Sequence, residues 1–146
     1  MSGYNFHSKK PELELINKLE KMIFGQARVT VTRLEDIKHK AALLLVAYFE
    51  DQPVGFKLGY LIPEKRKFFS WLGGVHPDHR NKGLAQELLD LQEQYVNSLG
   101  INIVYFTTFD RFPAMKQFGK KNGYLLVRSA RENDEMKYWY EKDLTQ

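Results

Sequence analysis

The stretch from Val75 to Ala85, Val-His-Pro-Asp-His-Arg-Asn-Lys-Gly-Leu-Ala, constrains this chain more than any other. Ahead of it lies Phe68-Phe69-Ser70-Trp71-Leu72, an aromatic-rich run that predicts a buried strand over 68–75. Pro77 cannot donate to a sheet ladder, so the strand stops near it. Behind it Leu84, Leu88, Leu91, Tyr95 and Leu99 recur at helical spacing, which predicts a helix over 84–99 with one apolar face, ended at Gly100. The strand therefore passes into the helix through Arg80, Asn81, Lys82 and Gly83. The first N–H groups of a helix have no intrahelical partner, and the helix dipole favours negative charge there. Gly83 lacks a Cβ and lets a ligand lie against the backbone, Arg80 and Lys82 add positive charge, and residues 80–85 contain no acid. Together these features predict a site for a phosphate-bearing ligand. The Gly-x-Gly-x-x-Gly of dinucleotide folds and the Gly-Lys-Ser/Thr phosphate loop are both missing.

A chain of 146 residues suits one domain with a substantial core, here taken as residues 1–146. Its composition, 43% hydrophobic and 27% charged, is that of a globular protein. The longest apolar run, residues 41–49, is strand-sized, so no membrane association is expected, and the first residues show no apolar signal region. With no cysteine there is no disulfide, thiolate metal site or cysteine nucleophile, which fits a cytoplasmic protein. The four histidines lack metal-ligand spacing, so no metal is expected. A net charge of +4 suits a polyanionic cofactor. No stripe of alternating stacking rings and cations appears, so nucleic acid is not expected as a partner.

The remaining elements follow from local signals. Pro11, Glu12 and Glu14 open a helix over 11–24 that Gly25 ends. Residues 27–40 carry both a strand signal at Val29-Thr30-Val31 and a helix signal around Leu34 to Lys38. Residues 43–50 and 54–62 read as a hairpin turning at Asp51-Gln52. A strand over 101–108, a helix over 112–122 and a closing hairpin of 124–130 with 136–143 complete the chain. The result is an α/β domain with a mixed, mostly antiparallel sheet of about six or seven strands and about four helices.

Gly74 to Ala85, with the Arg80-x-x-Gly83-x-Ala85 core and Leu88-Leu89 behind it, resembles the acetyl-CoA-binding motif of the GCN5-related N-acetyltransferase (GNAT) superfamily. A second family segment is present in weaker form: the strand over 101–108, the helix over 112–122 and Gly123-Tyr124 in place of Gly-Phe. The resemblance covers roughly residues 11–142. It implies that the backbone of Val75, Arg80, Asn81, Lys82, Gly83, Leu84 and Ala85 holds acetyl-CoA as cosubstrate. It further implies that the strands of 68–75 and 101–108 splay apart around the pantetheine arm. Thr107 and Thr108 either contact that arm or reflect β-propensity alone, and Phe118 either walls it or packs in the core. Arg111, Lys116, Lys120 and Lys121 either meet the adenosine 3′-phosphate or form a solvated basic face. The implied activity is transfer of an acetyl group to a primary amine, on a small molecule or a peptide, by direct attack in a ternary complex. A homodimer would be ordinary for such a protein.

The catalytic groups depart from the family pattern. A backbone N–H near Gly74 or Val75 is the candidate oxyanion donor. Gly73-Gly74 fits a bulge there, or equally a close packing against a helix. The tyrosine that relatives place four residues before Gly-Phe is Gly119 here, beside Phe118, and neither can donate a proton. Residues 67–74 hold no acid to serve as base, which leaves His76, with His79, as the nearest titratable group. These gaps keep open the alternative of a non-catalytic acyl-CoA-binding relative.

Overall fold

The computed structural model describes residues 3–145. Seven strands form one sheet in the order β1-β2-β3-β4-β5-β7-β6, with β1 Tyr4–Lys9, β2 Leu43–Phe49, β3 Gln52–Ile62, β4 Lys67–Val75, β5 Ile103–Phe109, β6 Leu125–Glu132 and β7 Glu135–Asp143. All neighbours are antiparallel except β4 and β5, which α3 (Leu84–Ser98) connects as a crossover. Helices α1 (Leu13–Phe24) and α2 (Val31–Ile37) cover one face and α3 and α4 (Pro113–Lys121) the other. No helix among the described residues is long and apolar enough to cross a membrane.

Each face has its own core. Ile16 and Leu19 of α1 and the half-buried Leu34 of α2 pack on Leu44, Val46, Phe56 and Leu58. Leu84, Leu88, Leu89 and Val96 of α3 pack on Leu45, Phe68, Val104 and Phe106, with Met115 and Phe118 of α4 against the same cluster. Alternation along β2 and β3 sorts these side chains to opposite faces, and each buried Leu, Val or Phe contributes about 1.5–3 kcal/mol.

The ambiguous segment over 27–40 resolves as helix because the Thr30 hydroxyl accepts the Arg33 N–H at 3.1 Å, an N-cap that outweighs the β-propensity of its valine neighbours. Buried Glu20 fixes that segment to α1 by accepting from Asn17 and from the N–H groups of Arg28 and Val29, at 2.9–3.1 Å. The first hairpin turns at Glu50-Asp51, one residue earlier than expected. Both residues have positive φ, the mirror-image geometry that matches strand twist. β1 was not foreseen. Its alternation of Tyr4 and Phe6 with Asn5 and His7 is short, and only pairing with β2 makes it a strand.

β4 and β5 pair over three residues only, Lys67, Phe68 and Phe69 with Ile103, Val104 and Tyr105. From Ser70 onward β4 stays with β3, while β5 stays with β7 along its whole length. The sheet therefore opens into a gap whose walls are the second halves of β4 and β5.

Candidate active site

The gap leads directly to the basic loop. β4 ends at Val75, Pro77–His79 form one 3-10 turn, and α3 starts at Leu84. Asn81 and Gly83 have φ of 61° and 82°, and Lys82 between them does not. Alternation of this kind turns successive N–H groups to one side, as in an anion nest. No acceptor among the described residues takes the N–H groups of residues 82–86. The side chain of Leu84 is buried in the core, so only its main chain faces the loop. Arg80 Nε donates to the Val75 carbonyl at 2.9 Å, which ties the loop back to the strand end and holds the rest of its exposed guanidinium beside the loop.

The His76 N–H donates to Val54 O at 2.7 Å, in line with the register Gly55–Val75, Phe56–Gly74 and Lys57–Gly73. In an antiparallel pair such bonds alternate, so the Gly74 N–H also turns toward β3 while those of Gly73 and Val75 turn outward into the gap. Of the two expected donors, Val75 therefore turns its N–H into the gap and Gly74 does not. Of the two readings of Gly73-Gly74, a bulge or close packing against a helix, the bulge is not found there: both glycines are in register, and the extra residue of β4 is Trp71. Gly74 is where α1 comes close. A methyl group there would stand 2.8 Å from Ile23 Cγ2 and 3.2 Å from the Phe24 ring.

On the α3 and α4 side the gap deepens into a small pocket lined by Lys57, Ser70, Leu89, Phe106, Met115, Phe118, Gly119 and Tyr124. Lys57 is its sole charged lining group. Burial pulls the Lys57 ammonium down to about 8, against the opposing attraction of the Glu93 carboxylate. Glu93 itself accepts from the Tyr124 hydroxyl and from Lys142 Nζ, each at 2.8 Å. Burial first, and then this carboxylate, push the Tyr124 phenol far up. The phenol is thus held neutral, with its proton committed to Glu93.

The predicted contact residues divide. Phe118 lines the pocket. Thr107 and Thr108 fall on opposite faces of β5, with Thr108 buried on the α3 side and Thr107 half-buried on the other. His76 caps the turn after β4, its Nδ1 accepting the Asp78 N–H at 3.0 Å, while His79 Nδ1 meets the Tyr4 hydroxyl at 2.9 Å. Of the four basic candidates near α4, Arg111 pairs with Glu135 and Lys116 with Asp110, while Lys120 and Lys121 are exposed and in no ion pair among the described residues. Across the sheet, the Arg33 guanidinium stacks 4.6 Å from the Trp71 ring and bonds to the Tyr60 hydroxyl. Sequence reasoning overlooked Lys57 and Arg33. The signal for Lys57 was a lone cation in the otherwise apolar run from Val54 to Leu61.

Residues 12–124 match the family model of the acetyltransferase (GNAT) family. Solved structures with the same fold include the ribosomal-protein-S18-alanine N-acetyltransferase of Escherichia coli, with TM-score 0.79 and 13% identity over 96% of this chain and 94% of that one. Ard1 of Thermoplasma volcanium has TM-score 0.77 and 14% identity over 97% and 99% of the two chains. A GNAT family acetyltransferase of Elizabethkingia anophelis with acetyl-CoA bound has TM-score 0.75 and 11% identity over 99% and 100%. At such identities the likeness is one of fold. No curated protein matches the chain in sequence.

Proposed function

The chain belongs to the acetyltransferase (GNAT) family, and from that premise we propose that it transfers an acetyl group from acetyl-CoA to a primary amine by direct attack in a ternary complex. The carrying observation is the continuity of two sets of unpartnered N–H groups, those of residues 82–86 at the start of α3 and those of Gly73 and Val75 in the gap. The first set suits a diphosphate, with Arg80 and Lys82 adding charge and Asn81 and Gly83 supplying the backbone turn. The second suits the amide-bearing arm and the thioester carbonyl, whose oxygen gains negative charge as the amine attacks. Phe118 walls the arm on one side, while Thr107 on β5 faces the other side of the sheet. Ala85, exposed in the first turn of α3, leaves room over the N–H groups.

No enzyme nucleophile is needed. The amine must lose a proton, and the candidate acceptor is His76 through Nε2, since Nδ1 holds the Asp78 N–H. The amine would approach from the α1 and α2 face, where Tyr60, Trp71 and Arg33 lie at the β4 edge. A second reading, a protein that binds acyl-CoA without turnover, is favoured by one observation. Gly119 and Phe118 present no proton donor, and Tyr124 commits its hydroxyl to Glu93.

Calorimetric titration of the chain with acetyl-CoA tests the cofactor, with binding expected and its absence refuting the proposal. Thiol release is then followed with spermidine, glucosamine, lysine and an alanine-terminated peptide. Release with an amine supports transfer, and binding without release from any of them supports the second reading. A pH–rate profile unchanged in His76→Ala removes His76 as base.

A further inference from the structure

Acyl transfer from a thioester expels a thiolate, and none of the groups assigned above returns a proton to it. Lys57 does not enter that assignment, although it is the charged member of the pocket wall. It sits on β3 opposite Gly73 in the non-hydrogen-bonded type of antiparallel pair, where side chains approach most closely. A methyl group on Gly73 would stand 3.5 Å from Lys57 Cγ and 3.6 Å from Nζ. The absent Cβ of Gly73 is thus the space beside which the ammonium lies. The residue is more than nine-tenths buried, and its Nζ makes no hydrogen bond or ion pair among the described residues. The nearest carboxylate by effect, Glu93, is taken by Tyr124 and Lys142.

Burying a cation without a partner is unfavourable, and a methionine of similar length would fill the same space without that penalty. Retaining a lysine there is explained by an anion that forms only when the bound ligand reacts. A diphosphate anchored at residues 82–86 sends its arm back along β4. A thioester carbonyl bonded to the outward Gly73 N–H then brings the sulfur beside the residue paired with Gly73, which is Lys57.

We propose that the Lys57 ammonium faces the sulfur of bound acetyl-CoA and donates its proton to the departing thiolate, an inference that rests on the acetyl-CoA reading above. The amine nitrogen attacks the carbonyl carbon, the C–N bond forms and the C–S bond breaks with its electron pair on sulfur. The Lys57 Nζ proton passes to sulfur and gives the free thiol of CoA. Neutral Lys57 then recovers a proton from water, matching the one the amine lost. The groups that face Lys57 are Glu93 from α3 and, beyond it, Tyr124 after α4 and Lys142 of β7. β4 offers Ser70, β5 Phe106 and α4 Met115 and Phe118, none of which titrates near neutrality.

The test needs no acceptor. The ultraviolet band of the CoA thiolate is followed against pH for CoA bound to the full chain and to Lys57→Met, with calorimetry of acetyl-CoA binding alongside. While Lys57 keeps its charge, up to about pH 8, the thiolate curve of CoA bound to the wild type should be shifted below that of free CoA, as expected for an acid within a few ångströms of a cation. Lys57→Met should lose that shift, keep acetyl-CoA affinity within about threefold and melt no lower than wild type, since a buried unpaired charge has gone. Lys57→Gln carries the same expectation should the methionine variant fail to fold. Binding with thiolate curves that coincide in wild type and variant overturns the inference alone. Failure of the wild type to bind CoA at all overturns the acetyl-CoA reading and the inference with it.

Discussion

Gly83 gives the sharpest test of the loop. It caps α3 with φ of 82° and ψ of 8°, a conformation that costs a residue with a Cβ about 1–2 kcal/mol. Domains of this size are stable by about 5–15 kcal/mol, so Gly83→Ala and Gly83→Glu should both stay folded and share the same backbone strain. They differ in charge. The carboxylate that Gly83→Glu introduces, at ~5 Å from a bound phosphate in an effective dielectric of ~20, opposes it by about 3 kcal/mol. The Gly83→Glu variant should therefore bind CoA at least ~100-fold more weakly than the Gly83→Ala variant, which carries the same Cβ without the charge. Raising the salt concentration should narrow the difference, because exposed charges are screened within ~10 Å at 0.1 M. The assay is calorimetric titration with CoA, with a cooperative urea transition for each variant as the control on folding. A folded Gly83→Glu variant whose affinity stays within about threefold of wild type would place the diphosphate elsewhere and refute the loop assignment.

Three further outcomes are expected. In Gly119→Ala the new methyl would meet Phe106 Cζ at 2.5 Å and Cε1 at 2.7 Å, so urea denaturation should show a loss of about 1–3 kcal/mol, and a tyrosine could not be restored there without larger damage. Gln92 is fully buried and neither amide atom has a partner among the described residues, so Gln92→Leu should raise stability by about 1–3 kcal/mol in the same assay, and a fall would mean that the amide is satisfied. Lys57 is lowered on folding from its ordinary 10.5 to about 8, so between those values the unfolded chain holds the extra proton and wild-type stability should rise with pH. The gain over Lys57→Met is about 3 kcal/mol across that window, with the penalty fully present below pH 8. Burial raises Tyr60, Tyr95, Tyr105 and Tyr124, which lowers stability above their ordinary 10.0. Both proteins carry those tyrosines, so their effect cancels in the comparison.

Those elements whose signals are local were legible in the sequence. Leu84 to Leu99 spells a helical stripe, Gly25 and Gly100 mark ends, and the loop from Arg80 to Gly83 carries its own charge and flexibility. Elements whose state depends on a partner were harder to read. Tyr4–Lys9 is a strand because β2 offers it an edge, and Val31–Ile37 is a helix because a single hydroxyl at Thr30 satisfies an N–H. The paired glycines were consistent with a bulge, because glycine tolerates a break in a ladder, and equally with close packing against a helix. The bulge lies instead at Trp71, just past the last parallel pair, where β4 parts from β5. Gly74 answers to packing, since a Cβ would strike α1.

The site divides along the same line. The role proposed for residues 80–85 runs through their own main chain, so their identity alone suggested it. Lys57 acts through what stands beside it, a glycine sixteen residues later that only strand pairing brings opposite. One lysine in an apolar strand is, by itself, as consistent with an edge facing water as with a cation shut inside. The two cases differ in the register of β3 on β4 and in the depth of α3 and α4 over the gap, both long-range properties. The same reasoning ranks the candidate proton donors. Tyr124, the nearest tyrosine to the pocket, is excluded by the carboxylate that takes its proton, whereas Lys57 is retained because no partner takes its own. A buried donor already bonded to a protein acceptor must break that bond to protonate a ligand. An unpartnered one gains a bond by doing so, and that difference favours the lysine.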